Sequence, residues 1–397
     1  MGTKWLPGEP LRLFVIAGEH SGDRLGGKLL AVLRRRLGDR LVVAGVGAED
    51  MLAQGLQPVF PMADVAVMGL GDVVKRLPLI VHRVYQAVAA ARAFAPHALI
   101  IIDSPDFTHP IAKRFRRQRP DAPIIGYVSP TVWAWRPGRA RKMAAYVDHL
   151  LALLPFEPEA HARLGGPPTT YVGHPIVERL QWIRELDTEG LARRLELAPD
   201  RPVIVLLPGS RRGVIGRMLP DFAETARLLA ATTPAPQLIM PTIEVRRAEL
   251  AAMTADWPSP PQLVTGEDDK FAAFRLARAA LAASGTVTLE LAAAGTPMVV
   301  AYRTGPVAFQ LRYLVKVPSI VLANLVLGRS AFPEYIETAV RPGTLAERLG
   351  ELIAEGPART AQVAALAEIA TNLAPPACSP SQAAADIVLR YAERGRG

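Results

Sequence analysis

Arg211 closes the turn LPGSRR (207–212), and Ser284, Gly285, Thr286 and Glu290 stand together in ASGTVTLELAAAG (283–295). LPGSRR follows an apolar run, so Pro208, Gly209 and Ser210 must turn the chain, and exposed N–H groups at such a turn can bind an anion. Arg211 adds a bidentate phosphate donor. In the second stretch Ser284, Gly285 and Thr286 precede a short helix, whose free amides and positive dipole end suit a pyrophosphate. The Glu290 carboxylate, one turn later, would reach ribose hydroxyls. The plain alternatives are an ordinary strand-to-helix turn with a solvated arginine, and a capped helix in which Glu290 is a dipole-favourable acid. The apolar setting of Glu290, LELAAAG, argues against an idle surface acid. With no D-x-D motif and no Cys/His cluster of ligand spacing, the two stretches describe a nucleotide-diphosphate site that needs neither metal nor other cofactor. Fixed donors aimed at a departing nucleoside diphosphate lower the barrier to its release, which is the chemistry of metal-free nucleotide-sugar transfer.

A second constellation lies in FVIAGEHSGDRLGG (14–27), whose glycines at 18, 22, 26 and 27 fit neither a dinucleotide fingerprint nor a P-loop. Glu19, His20, Ser21, Gly22 and Asp23 fall where a strand ends, the edge at which open α/β sheets place ligands.

The elements that must position these residues are legible as an alternation. Short β-branched runs at 11–17, 41–47, 98–103, 122–128 and 149–156 are each followed by polar or helical sequence, and after a connecting helix around 176–197 the pattern restarts at 203–210, 237–242, 262–266, 279–284 and 297–302. Such alternation predicts parallel βαβ units, hence an α/β chain of two Rossmann-like domains. The boundaries fall at 1–175 and 176–372, with 373–397 as a separate terminal helix after the proline-rich break LAPPACSP. A length of 397 residues and an apolar half of the composition agree with two cores. Cys378 is the sole cysteine, which rules out an internal disulfide and fits a structural role in a reducing compartment. The net charge of +9 points to an anionic partner: nucleic acid, a membrane surface or phosphorylated small molecules. The basic residues form short clusters, Arg34–Arg36, Arg114 to Arg119, and Arg211 with Arg212, and a solvated helix face is the favoured reading of any one of them. No cleaved signal is expected at the start, and no apolar run is long enough to span a membrane.

The chain closely resembles the lipid-A-disaccharide synthases, bacterial glycosyltransferases, over nearly its whole length. The matching segments include AGEHSGDRLGG, GVGAEDMLAQG, MGLGDVVKRLP, DSPDF, YVSPTVWAWRPGR, VGHP, LLPGSRR, SGTVTLE, PMVVAYR and VPSIVLANLVLGR. The resemblance implies a GT-B fold, with acceptor site in the first domain, UDP-sugar site in the second, parallel sheets facing a central cleft, and the terminal helix returning to the first domain. It implies transfer of diacylglucosamine from UDP-2,3-diacylglucosamine to the 6-hydroxyl of 2,3-diacylglucosamine 1-phosphate (lipid X), with inversion. It also implies a cytoplasmic enzyme peripherally held at the inner membrane; a homodimer is left open.

On that reading Asp103, at the end of ALIIID, is the base that takes the hydroxyl proton, with Glu19 or His20 in reserve. Asp103 could instead cap the turn through Ser104 and Pro105. Ser21 and Gly22 supply hydrogen bonds or close backbone approach, and Asp106 orients or caps. Ser210 and Arg211, the 284–286 turn and Glu290 hold the donor, with Asn324 and Arg329 near its phosphates. Val65, Val67, Met68, Leu70, Val73 and Val74, followed by Lys75 and Arg76, are candidates for acyl-chain or membrane contact. Two readings compete: another UDP-sugar enzyme on the same fold, such as an epimerase or a transferase with a different lipid-linked acceptor, and a basic binding module without catalysis. The second leaves the two anion-binding turns unexplained, and no nucleic-acid motif accompanies the charge.

Overall fold

The protein, described here by a computed structural model, is defined over residues 4–66, 70–305, 317–375 and 377–395, with the backbone alone for 70–75. It divides into two compact units, Met1–Pro175 with Ala374–Gly397, and Ile176–Leu373.

The N-terminal unit is built on seven parallel strands in the order β3-β2-β1-β4-β5-β6-β7. These are β1 (Leu11–Ala17), β2 (Leu41–Val46), β3 (Leu56–Pro58), β4 (Ala98–Ile102), β5 (Ile124–Tyr127), β6 (His149–Ala152) and β7 (Thr169–Tyr171). Their central members are continuous apolar runs because helices cover both faces of a parallel sheet. All five residues of β4 are buried, and β1 pairs β4 in register from Leu13 with Ala98 to Ala17 with Ile102. The C-terminal unit repeats the plan with six strands in the order β10-β9-β8-β11-β12-β13. They are β8 (Val203–Leu207), β9 (Gln237–Thr242), β10 (Gln262–Thr265), β11 (Ala279–Ala282), β12 (Met298–Tyr302) and β13 (Glu334–Ile336). All ten strands expected from the sequence are present; the three further ones, β3, β7 and β13, are edge strands of three residues each. An edge strand that short carries too few alternations to announce itself.

In both sheets the order reverses beside the first strand, at β1/β4 and β8/β11, and an open α/β sheet binds ligands at the carboxyl ends of such strands. The helix Pro380–Arg394 starts at a capping box between Ser379 and Gln382. It packs on the helix His20–Leu37, burying Ala384, Ala385, Ile387 and Val388 in the N-terminal core.

Candidate active site

The second unit holds a cavity of about 490 Å³ at the carboxyl ends of β8 and β11. Its wall brings together Ser210, Arg211, Ser284, Gly285, Thr286 and Glu290, residues separated by more than seventy positions in the chain. Gly209 has φ +110° and a Cβ there would approach Val214 Cγ1 to 2.9 Å, so the turn into the helix Arg212–Ala230 requires glycine. Arg211 is exposed at the N-cap of that helix, extended in backbone. Across the cavity Gly285 has φ +152° and Thr286 is the N-cap residue of the helix Val287–Ala294; the Thr288 and Leu289 amides donate to the Gly285 and Thr286 carbonyls, which leaves the amides at 285–287 without an acceptor among the described residues. The Ser284 hydroxyl donates to the Ile320 carbonyl at 2.6 Å, so that side chain shapes the turn while its backbone lines the cavity.

Glu290 is not idle. Its Oε2 lies 2.7 Å from Nζ of Lys270, which also sits 5.2 Å from the Phe271 ring centroid. Lys270 and Arg246, both on the wall, are absent from the sequence reading, because a lone lysine in EDDKFAAF and an arginine in EVRRAEL carry no local signal. Neither Asn324 nor Arg329 is on the cavity wall. Asn324 is buried, accepting from the Ala331 and Phe332 amides and donating to the Phe332 carbonyl, so it braces its own loop. Arg329 is exposed and paired with Glu368.

In the first unit the ends of β1, β4 and β5 form a second site. Asp103 and Ser104 both take left-handed backbone, φ 51° and 43°, and Val128 stands at φ 78°. Three non-glycine residues in that region at one sheet edge mark strained backbone. The Asp103 amide donates to the Tyr127 carbonyl at 3.0 Å, and the Thr108 hydroxyl donates to the Asp103 carbonyl at 2.8 Å. Among the described residues its carboxylate has one side-chain partner, the Ser21 hydroxyl, at 3.5 Å. It does not cap the following turn. Ser21 and Asp103 thus join the first and fourth strand ends, and Gly18 permits this, since a Cβ there would lie 2.7 Å from Ser104 Cβ.

Glu19, His20 and Ser21 are exposed at the start of their helix, Glu19 as N-cap residue without a side-chain bond. Gly22, Asp23, Leu25, Gly26 and Gly27 are buried and serve packing. Asp23 is buried and accepts from the Ala48, Asp50 and Met51 amides, and Gly26 and Gly27 let the helix Glu49–Leu52 lie against their backbone. Asp106 is exposed in the first turn of the helix Pro105–Gln118 and pairs with Arg139 at 2.7 Å.

The segment YVSPTVWAWRPGR is held from beneath by a buried group that sequence reading passed over. Glu157 accepts from the Leu153 and Leu154 amides and from the Trp133 indole N–H, and burial pushes its carboxyl up to about 7 despite those bonds. Ser129 lies 2.7 Å from His161, and Trp133 meets Phe156 edge-on at 5.1 Å.

Of the residues proposed for lipid contact, Val65 is corrected to a core residue, 8% exposed. Val67 and Met68 lie outside the described residues, as do the side chains of Leu70, Val73 and Val74. Further along the helix Leu70–Phe94, Leu77, Leu79, Val81 and Tyr85 are exposed, beside exposed Arg76. Among the described residues no helix is long and apolar enough to cross a membrane, and no group of three or more His, Cys, Asp or Glu is placed to hold a metal ion.

Solved structures share this two-sheet plan. S. aureus MnaA, in its co-structure with UDP, aligns over 96% of both chains with a TM-score of 0.64 at 12% identity. MurG of Acinetobacter baumannii aligns over 96% of this chain and 100% of its own with a TM-score of 0.55 at 13% identity. The fold is of GT-B type. The profile of the lipid-A-disaccharide synthetase family matches residues 13–388. Lipid-A-disaccharide synthases of Nitrobacter winogradskyi and Rhodopseudomonas palustris (strain BisB18) are 48% identical over 386 residues and 49% over 379, covering 97% and 95% of this chain and 96% and 95% of their own. The chain belongs to the lipid-A-disaccharide synthase family, bacterial glycosyltransferases of lipid A biosynthesis.

Proposed function

We propose that the protein transfers diacylglucosamine from UDP-2,3-diacylglucosamine to the 6-hydroxyl of 2,3-diacylglucosamine 1-phosphate, inverting the anomeric carbon and releasing UDP. The observation that carries this reading is the cavity where the 209–211 and 284–287 turns meet around Glu290. The amides at 285–287 and the Arg211 guanidinium would hold the diphosphate, with Glu290, steadied by Lys270, on the ribose. Donors placed before the reaction cost no reorganisation when the leaving group gathers charge, and each such donor is worth about 10²–10³ in rate. Asp103 accepts the hydroxyl proton as that oxygen attacks the anomeric carbon; the bond to the UDP oxygen breaks, and the electron pair leaves with UDP. Ser21, within reach of the same carboxylate, orients it. The reading assigns the acceptor to the N-terminal unit, the donor to the C-terminal one, and no metal to either.

Exposed Leu77, Leu79, Val81 and Tyr85, with Arg76, support peripheral docking at the inner membrane's cytoplasmic face. The deciding assay supplies both lipids and follows UDP and product. UDP release that requires the acceptor and yields a disaccharide, unchanged by EDTA, is expected; UDP release without acceptor points to an epimerase or hydrolase, and loss of turnover with chelator refutes the metal-free step.

A further inference from the structure

The helices Pro105–Gln118 and Gly138–Met143 wall a separate cavity of about 420 Å³ in the N-terminal unit. Its lining carries Lys113, Arg114, Arg139 and Lys142, against Asp106 as its one acid. Neither Lys113 nor Lys142 has an ion-pair partner among the described residues. Arg114 is fixed at the wall, donating to the Pro110 carbonyl at 3.0 Å and lying 5.0 Å from the Tyr85 ring centroid. Four cations facing one carboxylate repel one another, and a bound anion would relieve that repulsion. Arg139 already shows what it accepts, since the Asp106 carboxylate rests 2.7 Å from its Nη2.

The same lining holds His109 and Tyr146, with Nδ1 of the histidine 2.9 Å from the phenol oxygen. Burial, reinforced by Arg139, brings the His109 imidazole down to about 4, so it is neutral at neutral pH and adds no fifth charge. A neutral imidazole and a phenol share one hydrogen between them in this contact, which leaves a second N–H or O–H free to donate whichever tautomer is present. The cavity also borders the catalytic edge. Pro105, His109 and Pro130 line it and line the smaller recess that contains Asp103.

We propose that this cavity is a phosphomonoester site, in which Lys113, Arg114, Arg139 and Lys142, backed by the His109–Tyr146 pair, hold the anomeric phosphate of the sugar acceptor while Asp103 faces its hydroxyl. The inference rests on the reaction proposed above and adds the group by which the acceptor is selected. A phosphomonoester carries a charge of about −1.5 to −2 at neutral pH, the better match to a surplus of cations than the single charge of a diester headgroup.

The test compares full-length wild type with the double variant Arg139→Gln/Lys142→Gln, both positions being on the surface of a short helix, and with Lys113→Gln as a second, independent probe. Rates are measured in neutral detergent at saturating UDP-2,3-diacylglucosamine, with diacylglucosamine 1-phosphate or the same sugar lacking phosphate as acceptor. The expected result is a KM for the phosphorylated acceptor raised roughly 10–100-fold with kcat little changed. Wild type and variants should use the phosphate-free acceptor equally poorly. An unchanged KM, or equal losses with both acceptors, overturns the proposal. Competition separates the sources of phosphate: glucosamine 1-phosphate should inhibit wild type well below the concentration at which inorganic phosphate does, and equal inhibition refutes an acceptor site. Cosedimentation with phosphatidylglycerol vesicles that is lost in the variants while KM in detergent holds would assign the cations to a membrane headgroup and refute it too. If wild type forms no disaccharide from the two lipids, the underlying reaction fails instead; thermal stabilisation of wild type, but not the variants, by glucosamine 1-phosphate still reads the cavity directly.

Discussion

Replacing Asp103 by asparagine removes the proton acceptor and almost nothing else. The carboxylate makes a single side-chain contact, 3.5 Å to Ser21, at the long limit of a hydrogen bond, and asparagine can accept there equally well. Backbone conformation decides between asparagine and alanine. Asp103 sits at φ 51°, which asparagine tolerates and alanine adopts at a cost of about 1–2 kcal/mol. Asp103→Asn should therefore leave stability within about 0.5 kcal/mol of wild type. Loss of general base catalysis is worth about 10²–10⁴ in rate, or roughly 3–5 kcal/mol of transition-state stabilisation. The assay is steady-state formation of disaccharide, with UDP binding measured separately by calorimetry. A kcat lowered at least 100-fold, with the Kd for UDP and the urea midpoint retained, is expected. A kcat within tenfold of wild type would refute Asp103 as the base, and a matching loss in Asp103→Ala but not Asp103→Asn would assign it to the turn instead of the chemistry.

Arg211→Ala should weaken UDP binding by about 1.5–3 kcal/mol, some 10- to 150-fold in Kd, because it deletes a charge-assisted donor without disturbing a buried contact; an unchanged Kd refutes its role. Glu157 predicts a pH dependence of stability. Its folded carboxyl lies at about 7 against an ordinary 4.5, so its protonated form favours the fold: the contribution is complete below about 4.5 and is lost as pH rises through about 7. At 1.36 kcal/mol per unit this is about 3 kcal/mol, and denaturant midpoints at pH 5 and pH 8 should fall less steeply in Glu157→Gln. Gly18→Ala drives a Cβ to 2.7 Å from Ser104, and should cost about 1–3 kcal/mol and lower kcat, since Ser104 adjoins the base; an active variant of native stability refutes the packing argument.

What the sequence disclosed follows from how local each signal is. The ten main strands are apolar runs bounded by turn residues, and the Pro-Gly-Ser and Ser-Gly-Thr turns are complete within a few residues, so both strands and turns were legible. Where a side chain meets partners brought by distant elements, the sequence was silent. Lys270 reaches Glu290 only because two helices flank β11, and Asn324 looks like a phosphate ligand until its amide is seen to span 331–332. Arg116, read within a basic cluster on a solvated face, is buried and paired with Asp148. Val65 was misassigned because an apolar residue near lysine and arginine reads alike whether it faces lipid or core.

The two units meet the same geometric demand by different means, and the difference tracks what each must supply. In the C-terminal unit the positive-φ positions that follow β8 and β11 at the cavity are Gly209 and Gly285, where the conformation has no steric cost, and the proposed diphosphate site asks for amides there and not for side chains. At the ends of β4 and β5 in the N-terminal unit they are Asp103, Ser104 and Val128, each costing about 1–3 kcal/mol. Glycine at 103 would relieve the strain and remove the carboxylate. The strain persists because bonds from outside hold it: the Thr108 hydroxyl on the Asp103 and Ser104 carbonyls, the Asp103 amide on Tyr127, and the Val128 amide on Leu151. Thr108 is wholly buried, so the hydrogen bonds that secure the fold at this sheet edge also fix where the Asp103 carboxylate stands.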